Sequence, residues 1–281
     1  MEYISTKSGL FPKLGLGTYS IPIGRLPELL SAALDMGYTL FDTANKYQNE
    51  GIIGEILLNA KYSRKDYLIE TKVHAELLLG NLRYLRLNRQ SPKSALKNAC
   101  KNLKTNYIDV FMIHGIFKGY EKYLEEYISL KHHGIIKYVG LCNVNLNQLK
   151  TLESMDLLPD VVQVEIHPYF SNKSLIEFCH LHNIVIEARS PFAHGDAMND
   201  WLNEPILQNI AIAHQSTIYQ VILRWITQQN VIGLPRTLNI EHLKENMNSF
   251  DIILSEDEIR AIDSLNKNRS YGYVSLRNYV K

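Results

Sequence analysis

Two kinds of apolar spacing alternate along the chain. Nearly continuous apolar runs at 38–42, 67–71, 108–113, 137–142, 161–166, 184–188 and 231–234, with a weaker one at 250–253, have the pattern of strands covered on both faces. Helical spacing fills the intervals. In 27–36 the apolar positions are 29, 30, 33 and 34, and the pattern stops at Gly37. Ser91-Pro92 opens a helix with Ala95, Leu96, Ala99 and Leu103 on one side. A helix over 120–133 stops at Gly134, and others are expected near 145–155, 173–182, 205–215, 217–229 and 241–248. Ser255-Glu-Asp-Glu258 has the spacing of a capping box and opens a last helix. Residues 4–18 read as a hairpin that turns at Ser8-Gly9.

Eight strands, each followed by a helix, predict an α/β chain folded as a (β/α)8 TIM barrel, in one domain over residues 1–281. A doubly wound sheet is the alternative. Its Gly-rich phosphate turn would follow the first strand, whereas Gly15-Leu-Gly17-Thr18 precedes that strand and lacks the third glycine.

In such a barrel the chemistry sits at the C-terminal strand ends. Asp42 ends the run 38–42, Lys72 follows the run 67–71, and His114 follows 108–113. Tyr47 lies in the polar loop after Asp42, ahead of a helix starting at Asn49 or Glu50. Singly, each has a plain structural reading: a turn cap, a packing tyrosine, a satisfied core histidine. Lys72 is the exception, because a buried ammonium needs a partner. Together they make a proton-transfer site. A phenol near its free pKa of ~10 is a poor acid at neutral pH, and an adjacent ammonium is expected to lower that value. Asp42 would hold Lys72, and His114 would orient a carbonyl oxygen. The four supply no electrons, so a reduction needs a hydride carrier bound nearby.

Composition narrows the classes. The net charge of +1 gives no field for nucleic acid or an anionic membrane. No apolar window approaches a membrane helix, and the N-terminus lacks the regions of a signal peptide. Cys100, Cys142 and Cys179 are few, odd in number and widely spaced, which fits a reducing cytoplasm rather than a disulfide framework or thiolate zinc site. His132-His133 and His180/His182 lack metal-ligand spacing, so no metal is expected.

The ordered series Gly15-Leu-Gly17-Thr18, Asp42-Thr-Ala-Asn-Lys-Tyr-Gln-Asn-Glu50, Thr71-Lys72, Ile113-His114, Gly140-Leu-Cys-Asn143, Gln163-Val-Glu-Ile-His-Pro168, Ser190-Pro191 and Leu234-Pro-Arg-Thr237 resembles the aldo-keto reductase superfamily, from about residue 4 to residue 273. The resemblance implies the same barrel, with an N-terminal hairpin across its bottom and a C-terminal tail over the active-site face. It implies reduction of aldehydes or ketones with NADP(H), NAD(H) being a weaker substitute. Asp42, Tyr47, Lys72 and His114 match the catalytic tetrad, with Tyr47 as proton donor. Asn143 and Gln163 match the residues that hold the nicotinamide carboxamide, while Gly17 and Thr18 match the segment beside the nicotinamide end. Ser190 and Phe192 match the segment over the pyrophosphate, Arg236 and Thr237 the residues on the 2′-phosphate, and Glu245 and Asn246 those on adenine. Read singly, Gly17 could serve a turn, Asn143 could cap the following helix, and Arg236 could be a surface charge.

Several positions depart from the family pattern. Arg189 stands where an aromatic ring usually stacks on the nicotinamide; a guanidinium is planar but opposes the charge of oxidised cofactor. His242 replaces a frequent second arginine, which leaves more of the 2′-phosphate to Arg236. Cys142 replaces a common serine, a mild change. Gly115 and His74 replace aromatic residues of the substrate cleft, giving a wider or more polar pocket. The substrate is shaped by loops around 19–24, 74–90, 115–120, 193–204 and 266–281, of which 74–90 is long and carries Arg83, Arg86 and Arg89. A small carbonyl compound is the expected partner, with no nucleic acid or membrane, acting on a monomer. A cofactor-sensing or interaction protein on the same barrel is the second reading.

Overall fold

The computed structural model describes residues 1–6, 9–75, 78, 90–193 and 200–271. Eight parallel strands lie side by side in chain order: β3 (Leu16–Gly17), β4 (Leu40–Asp42), β5 (Leu68–Val73), β6 (Ile108–Ile113), β7 (Ile136–Cys142), β8 (Val161–Glu165), β9 (Val185–Arg189) and β10 (Ile232–Leu234). The ring closes where Leu14 bridges to Gly233, with Gly15 N donating to the Gly233 carbonyl and Gly233 N to the Lys13 carbonyl, both at 2.9 Å. Helices α1 (Leu26–Asp35), α2 (Glu50–Leu58), α3 (Pro92–Asn102), α4 (Tyr120–Lys131), α5 (Leu146–Ser154), α6 (Lys173–Leu181), α7 (Pro205–Ala213), α8 (Ile218–Gln228), α9 (Ile240–Met247) and α10 (Glu256–Asp263) separate or follow them. This is the (β/α)8 barrel.

The strand count was right, but its membership was not. Residues 250–253 are not the eighth strand: Asn248–Asp251 is a 3-10 turn. Phe250 leans on the core and Ile253 faces outward. The missing strand is Leu16–Gly17, inside the stretch read as hairpin. The hairpin proper is β1 (Tyr3–Thr6) against β2 (Gly9–Pro12), ending before the barrel begins. Asp42, Lys72 and His114 therefore belong to the second, third and fourth strands of the ring. A strand of two residues, one of them glycine, is too short to show any periodicity.

Helix boundaries follow local chemistry. Ser91 caps α3 by accepting from Ser94 N, and Ser255 with Glu258 forms a complete capping box on α10. Asn143 caps no helix; Asn145 does, for α5.

The period-two alternation of strands decides what enters the bore. Phe41, Ile69, Phe111 and Val139 point outward and join the apolar layer beneath the helices. Leu40, Val110, Met112, Val161, Val185 and Ile232 point inward and form a second cluster with Phe11 of the hairpin, which plugs the N-terminal mouth. One or two steps further along the same inward faces come Asp42, Glu70, Lys72, Cys142, Gln163 and Glu187. The bore is apolar at one end and densely polar at the other.

Candidate active site

Asp42 is the last residue of β4 and Lys72 the fifth of β5, side by side in a parallel register that pairs Asp42 with Glu70. The Lys72 ammonium is fully buried. It donates to Asp42 Oδ2 and to the Thr43 carbonyl at 3.1 Å, and it forms an ion pair with Glu70 Oε1 at 2.9 Å. These carboxylates hold the ammonium proton well above the usual lysine range against the opposing cost of burial.

Tyr47 sits in a short 3-10 turn, Asn45–Tyr47, which ends at Gln48 in a left-handed conformation. Asn49 ties that loop to the barrel. Its amide donates to the Thr18 carbonyl at 3.1 Å, and its oxygen accepts from Thr43 Oγ1 at 2.5 Å. The Tyr47 ring lies 5.0 Å from Tyr19, 5.7 Å from His114 and 6.0 Å from Lys72 Nζ. The phenol does not behave as expected from its neighbour alone. Burial raises its pKa above that of free tyrosine, and the Lys72 ammonium only partly opposes this. Tyr47 therefore keeps its proton, as a donor must.

His114 follows β6, held by its own N–H to the Val73 carbonyl at 2.9 Å. Burial first, then the Lys72 charge, pushes its pKa well below the ordinary histidine value, so the imidazole is neutral. Its Nδ1 is buried without a hydrogen-bond partner.

The other sequence-predicted residues fall into three groups. Asn143 follows β7, Gln163 lies in the middle of β8 and Arg189 ends β9, on adjacent strands. Asn143 has a left-handed backbone (φ 59°), donates to the His114 carbonyl at 3.2 Å and accepts from Arg189 Nε at 2.8 Å. The Gln163 amide points down the bore to Asp42, Glu70 and Glu187. Arg189 also reaches Glu165 Oε2 at 3.3 Å. Gly17 and Thr18 on one side of the seam come together with Arg236, Thr237 and His242 on the other. Thr18 Oγ1 donates to the Asp42 carbonyl at 2.8 Å, Arg236 to the Ser20 carbonyl at 3.1 Å, and Thr237 Oγ1 lies 3.4 Å from His242 Nδ1. A Cβ at Gly17 would stand 3.3 Å from the Leu234 carbonyl. Ser190 takes a left-handed conformation (φ 51°), and Phe192 packs edge-on to Tyr219 at 5.0 Å. The third group is engaged by the scaffold: Glu245 accepts from Thr217 Oγ1 at 2.6 Å, and Asn246 is buried beside Tyr38.

Sequence reasoning missed three buried acids, Glu70, Glu165 and Glu187. Each lies two residues before a recognised one or two after it: Lys72, Gln163 or Arg189. That spacing was the available signal. Glu165 is the anchor of the C-terminal segment. It accepts from His167 Nε2 at 3.0 Å, Tyr271 N at 2.6 Å and Ser270 Oγ at 2.7 Å. These donors and Arg189 outweigh burial and bring its pKa down to about 2. The tail thus crosses the active-site face as far as Tyr271. Beside it a cavity of about 570 Å³ is lined by His74, Gly115, Asn143, Glu165, Arg189 and Ser270, among others. The arginines of loop 74–90, and Tyr273 and Arg277 of the tail, lie outside the described residues.

The Arg/Thr/His group and the bare backbone at Gly17 have the donors and the close approach that a phosphate group requires, whereas Gln163 turns its amide nitrogen into the bore and Asn143 gives its oxygen to Arg189. A model of the aldo/keto reductase family matches residues 13–267.

The chain belongs to the aldo/keto reductase family.

It is therefore an oxidoreductase of that family. It is 28% identical to methylglyoxal reductase DkgA of Yersinia pestis over 94% of this chain and 92% of that one. Morphine 6-dehydrogenase of Pseudomonas putida is 31% identical over 90% of this chain and 87% of its own. The structure of an aldose reductase from Schistosoma japonicum superposes with a TM-score of 0.86 at 27% identity, covering 99% of this chain and 96% of that one. Among the described residues, no helix is long and apolar enough to cross a membrane and no group of three or more His, Cys, Asp or Glu side chains could hold a metal.

Proposed function

We propose that this aldo/keto reductase reduces an aldehyde or ketone to an alcohol with NADPH, and that Tyr47 donates the proton. The observation that carries the reading is the convergence of a protonated phenol, a neutral imidazole and a carboxylate-held ammonium at three adjacent strand ends. NADPH, when bound, supplies the hydride. The chain's own residues do the rest. His114, being neutral, positions the carbonyl oxygen by hydrogen bonding without adding charge. Tyr47 delivers its proton to that oxygen, and Lys72 stabilises the phenolate left behind.

Asn143 and Gln163 are assigned to the nicotinamide carboxamide, Gly17 and Thr18 to its flank, and Ser190 and Phe192 to the pyrophosphate. Arg236, Thr237 and His242 go to the 2′-phosphate, and Glu245 and Asn246 to the adenine edge. Arg189 forms the floor under the nicotinamide. Its charge is offset by Glu165, so the penalty it sets on oxidised cofactor is smaller than the bare sequence implies. Two relatives carry the names methylglyoxal reductase and glyoxal reductase, the latter from Bacillus subtilis and 30% identical over 93% of this chain. With His74, Asn143, Glu165 and Arg189 on the wall of the cavity, these names favour a small polar carbonyl substrate. We assign the activity to a single-domain, cytoplasmic monomer that engages neither nucleic acid nor membrane.

A cofactor sensor is the second reading. It is motivated by the Arg189–Asn143 bond, which occupies an amide the cofactor would use.

Titration with NADPH and with NADH, followed by fluorescence quenching, and then a panel of small aldehydes and ketones, tests both readings. Tighter NADPH binding with turnover is expected. Replacing Arg236 by alanine should cost NADPH roughly ten- to a hundredfold in affinity, the worth of one hydrogen bond to a charged group, and leave NADH unchanged. Tight binding without turnover would favour the sensor; binding of neither nucleotide would overturn both.

A further inference from the structure

Below Lys72 the bore holds more acid than its one ammonium can neutralise. Glu70 and Glu187 are fully buried and Asp42 is 5% exposed. Fully ionised, the three carboxylates and Lys72 would leave two net negative charges in a closed interior. The groups facing them are the Lys72 ammonium, the Gln163 amide, the Cys142 thiol and, above, Tyr47. Burial keeps the thiol protonated, so it adds no charge. From β6 the neighbour is Met112, which offers nothing polar beyond its sulfur.

The donors do not suffice either. Gln163 Nε2 lies 2.9 Å from Asp42 Oδ2, 2.7 Å from Glu70 Oε1 and 3.0 Å from Glu187 Oε2. An amide nitrogen has two hydrogens for these three oxygens. Lys72 spends one of its three on the Thr43 carbonyl. Glu70 Oε2 and Glu187 Oε1 remain buried with no partner. Yet the Glu70 carboxyl is within hydrogen-bonding reach of both Glu187 and Asp42. Two carboxylates in contact in a dry interior repel strongly when both ionise, so at rest a single proton between them satisfies the orphan oxygens and removes one charge.

We propose that Glu70 and Glu187 hold one proton between them, and that this proton recharges Tyr47 through Lys72 after each reduction.

The second part rests on the function proposed above. After Tyr47 has given its proton to the substrate oxygen, the phenolate takes a proton from Lys72 Nζ. The resulting amine takes the proton of the Glu70 carboxyl, whose O–H bond breaks to leave a carboxylate. One proton moves from the glutamate pair to Tyr47 and no electrons are exchanged. Solvent later restores it along the reverse path. Burial, then repulsion from neighbouring carboxylates, brings Glu187 up to about 7 and Glu70 well above its usual range, and burial also raises Tyr47 above the free phenol, which makes its phenolate a strong proton acceptor.

Infrared spectroscopy of the whole protein without cofactor tests the shared proton independently of any activity. At neutral pH the carbonyl stretch of protonated carboxylic acids, identified by its shift in D2O, should lose the intensity of one carboxyl in Glu70→Gln. It should lose the same in Glu187→Gln, and no more than one in the double variant. Unchanged intensity in either single variant, or a loss of two in the double, would overturn the pair. For recharging, wild-type protein loaded with NADPH is mixed rapidly with a turned-over carbonyl compound in weakly buffered indicator. Proton uptake from solvent should lag hydride transfer by up to one proton per site, and the lag should vanish in Glu70→Gln. Uptake that keeps pace in the wild type overturns recharging even if the variants prove unstable. Absence of any NADPH oxidation would instead count against the function and leave the infrared result standing.

Discussion

Replacing Tyr47 by phenylalanine is expected to lower carbonyl reduction by about 10²–10⁴-fold while NADPH binding stays as it was. The substitution removes the acidic hydroxyl and almost nothing else, because the ring still packs against Tyr19 and His114. His114 is neutral and, on the proposed mechanism, its proton would serve the carbonyl as a hydrogen bond, so it is a poor substitute acid. Single-turnover rates with pre-bound NADPH isolate the step. Turnover within a few-fold of wild type would remove Tyr47 from the mechanism, and lost nucleotide binding would show that the ring itself had moved.

The second large effect is expected at Lys72. Lys72→Met should cost about 3–5 kcal/mol of stability, the range for breaking a buried ion pair by removing one partner. It should also abolish reduction. The ammonium is the only cation in contact with Asp42 and Glu70 among the described residues, and methionine would leave those carboxylates facing each other with a single amide between them. Unfolding in urea reads the first effect. Adding Glu70→Gln to Lys72→Met should recover part of the stability and none of the activity, since it removes repulsion without restoring the phenolate's partner. Equal stability of Lys72→Met and wild type would mean that the acids below it are already neutral.

The strand ends were legible because a parallel barrel places its chemistry there and because Lys72 makes no sense as packing. The charged layer one step deeper was not. Glu70 lies within Leu68-Ile-Glu-Thr-Lys72 and Glu187 within Val185-Ile-Glu-Ala-Arg189, runs that are apolar on both faces, with Ile69, Ile186 and Ala188 outward and Leu68 and Val185 inward. Read as buried strands, such runs conceal an acid on the inward face until the register is known. The misread eighth strand has a similar origin. Phe250 is half-buried and Ile252 buried, an alternation that a 3-10 turn and its extended cap lying on the core show as readily as a strand. Tyr47 was located correctly, but the direction of its pKa was not. The sequence shows the neighbouring ammonium and is blind to the burial that outweighs it. Asn143, readable as a helix cap, instead braces His114 and Arg189, and the cap passed to Asn145 two residues later.

The way the ring closes has a consequence for motion. Strands of five to seven residues carry most of the barrel's wall, from β5 to β9. The seam is completed by the Leu14–Gly233 bridge and by Gly17 N on the Pro235 carbonyl at 3.0 Å. Such a short ladder is where local opening costs least, so the amides of Gly15, Gly17 and Gly233 should exchange with solvent hydrogen sooner than those of the long strands. Gly17 and Thr18 stand on one side of that gap and Arg236 and Thr237 on the other. On the proposed arrangement a nucleotide would stitch them together, slowing exchange at the seam far more than elsewhere. The barrel would then be a hoop whose fastening is its own cofactor.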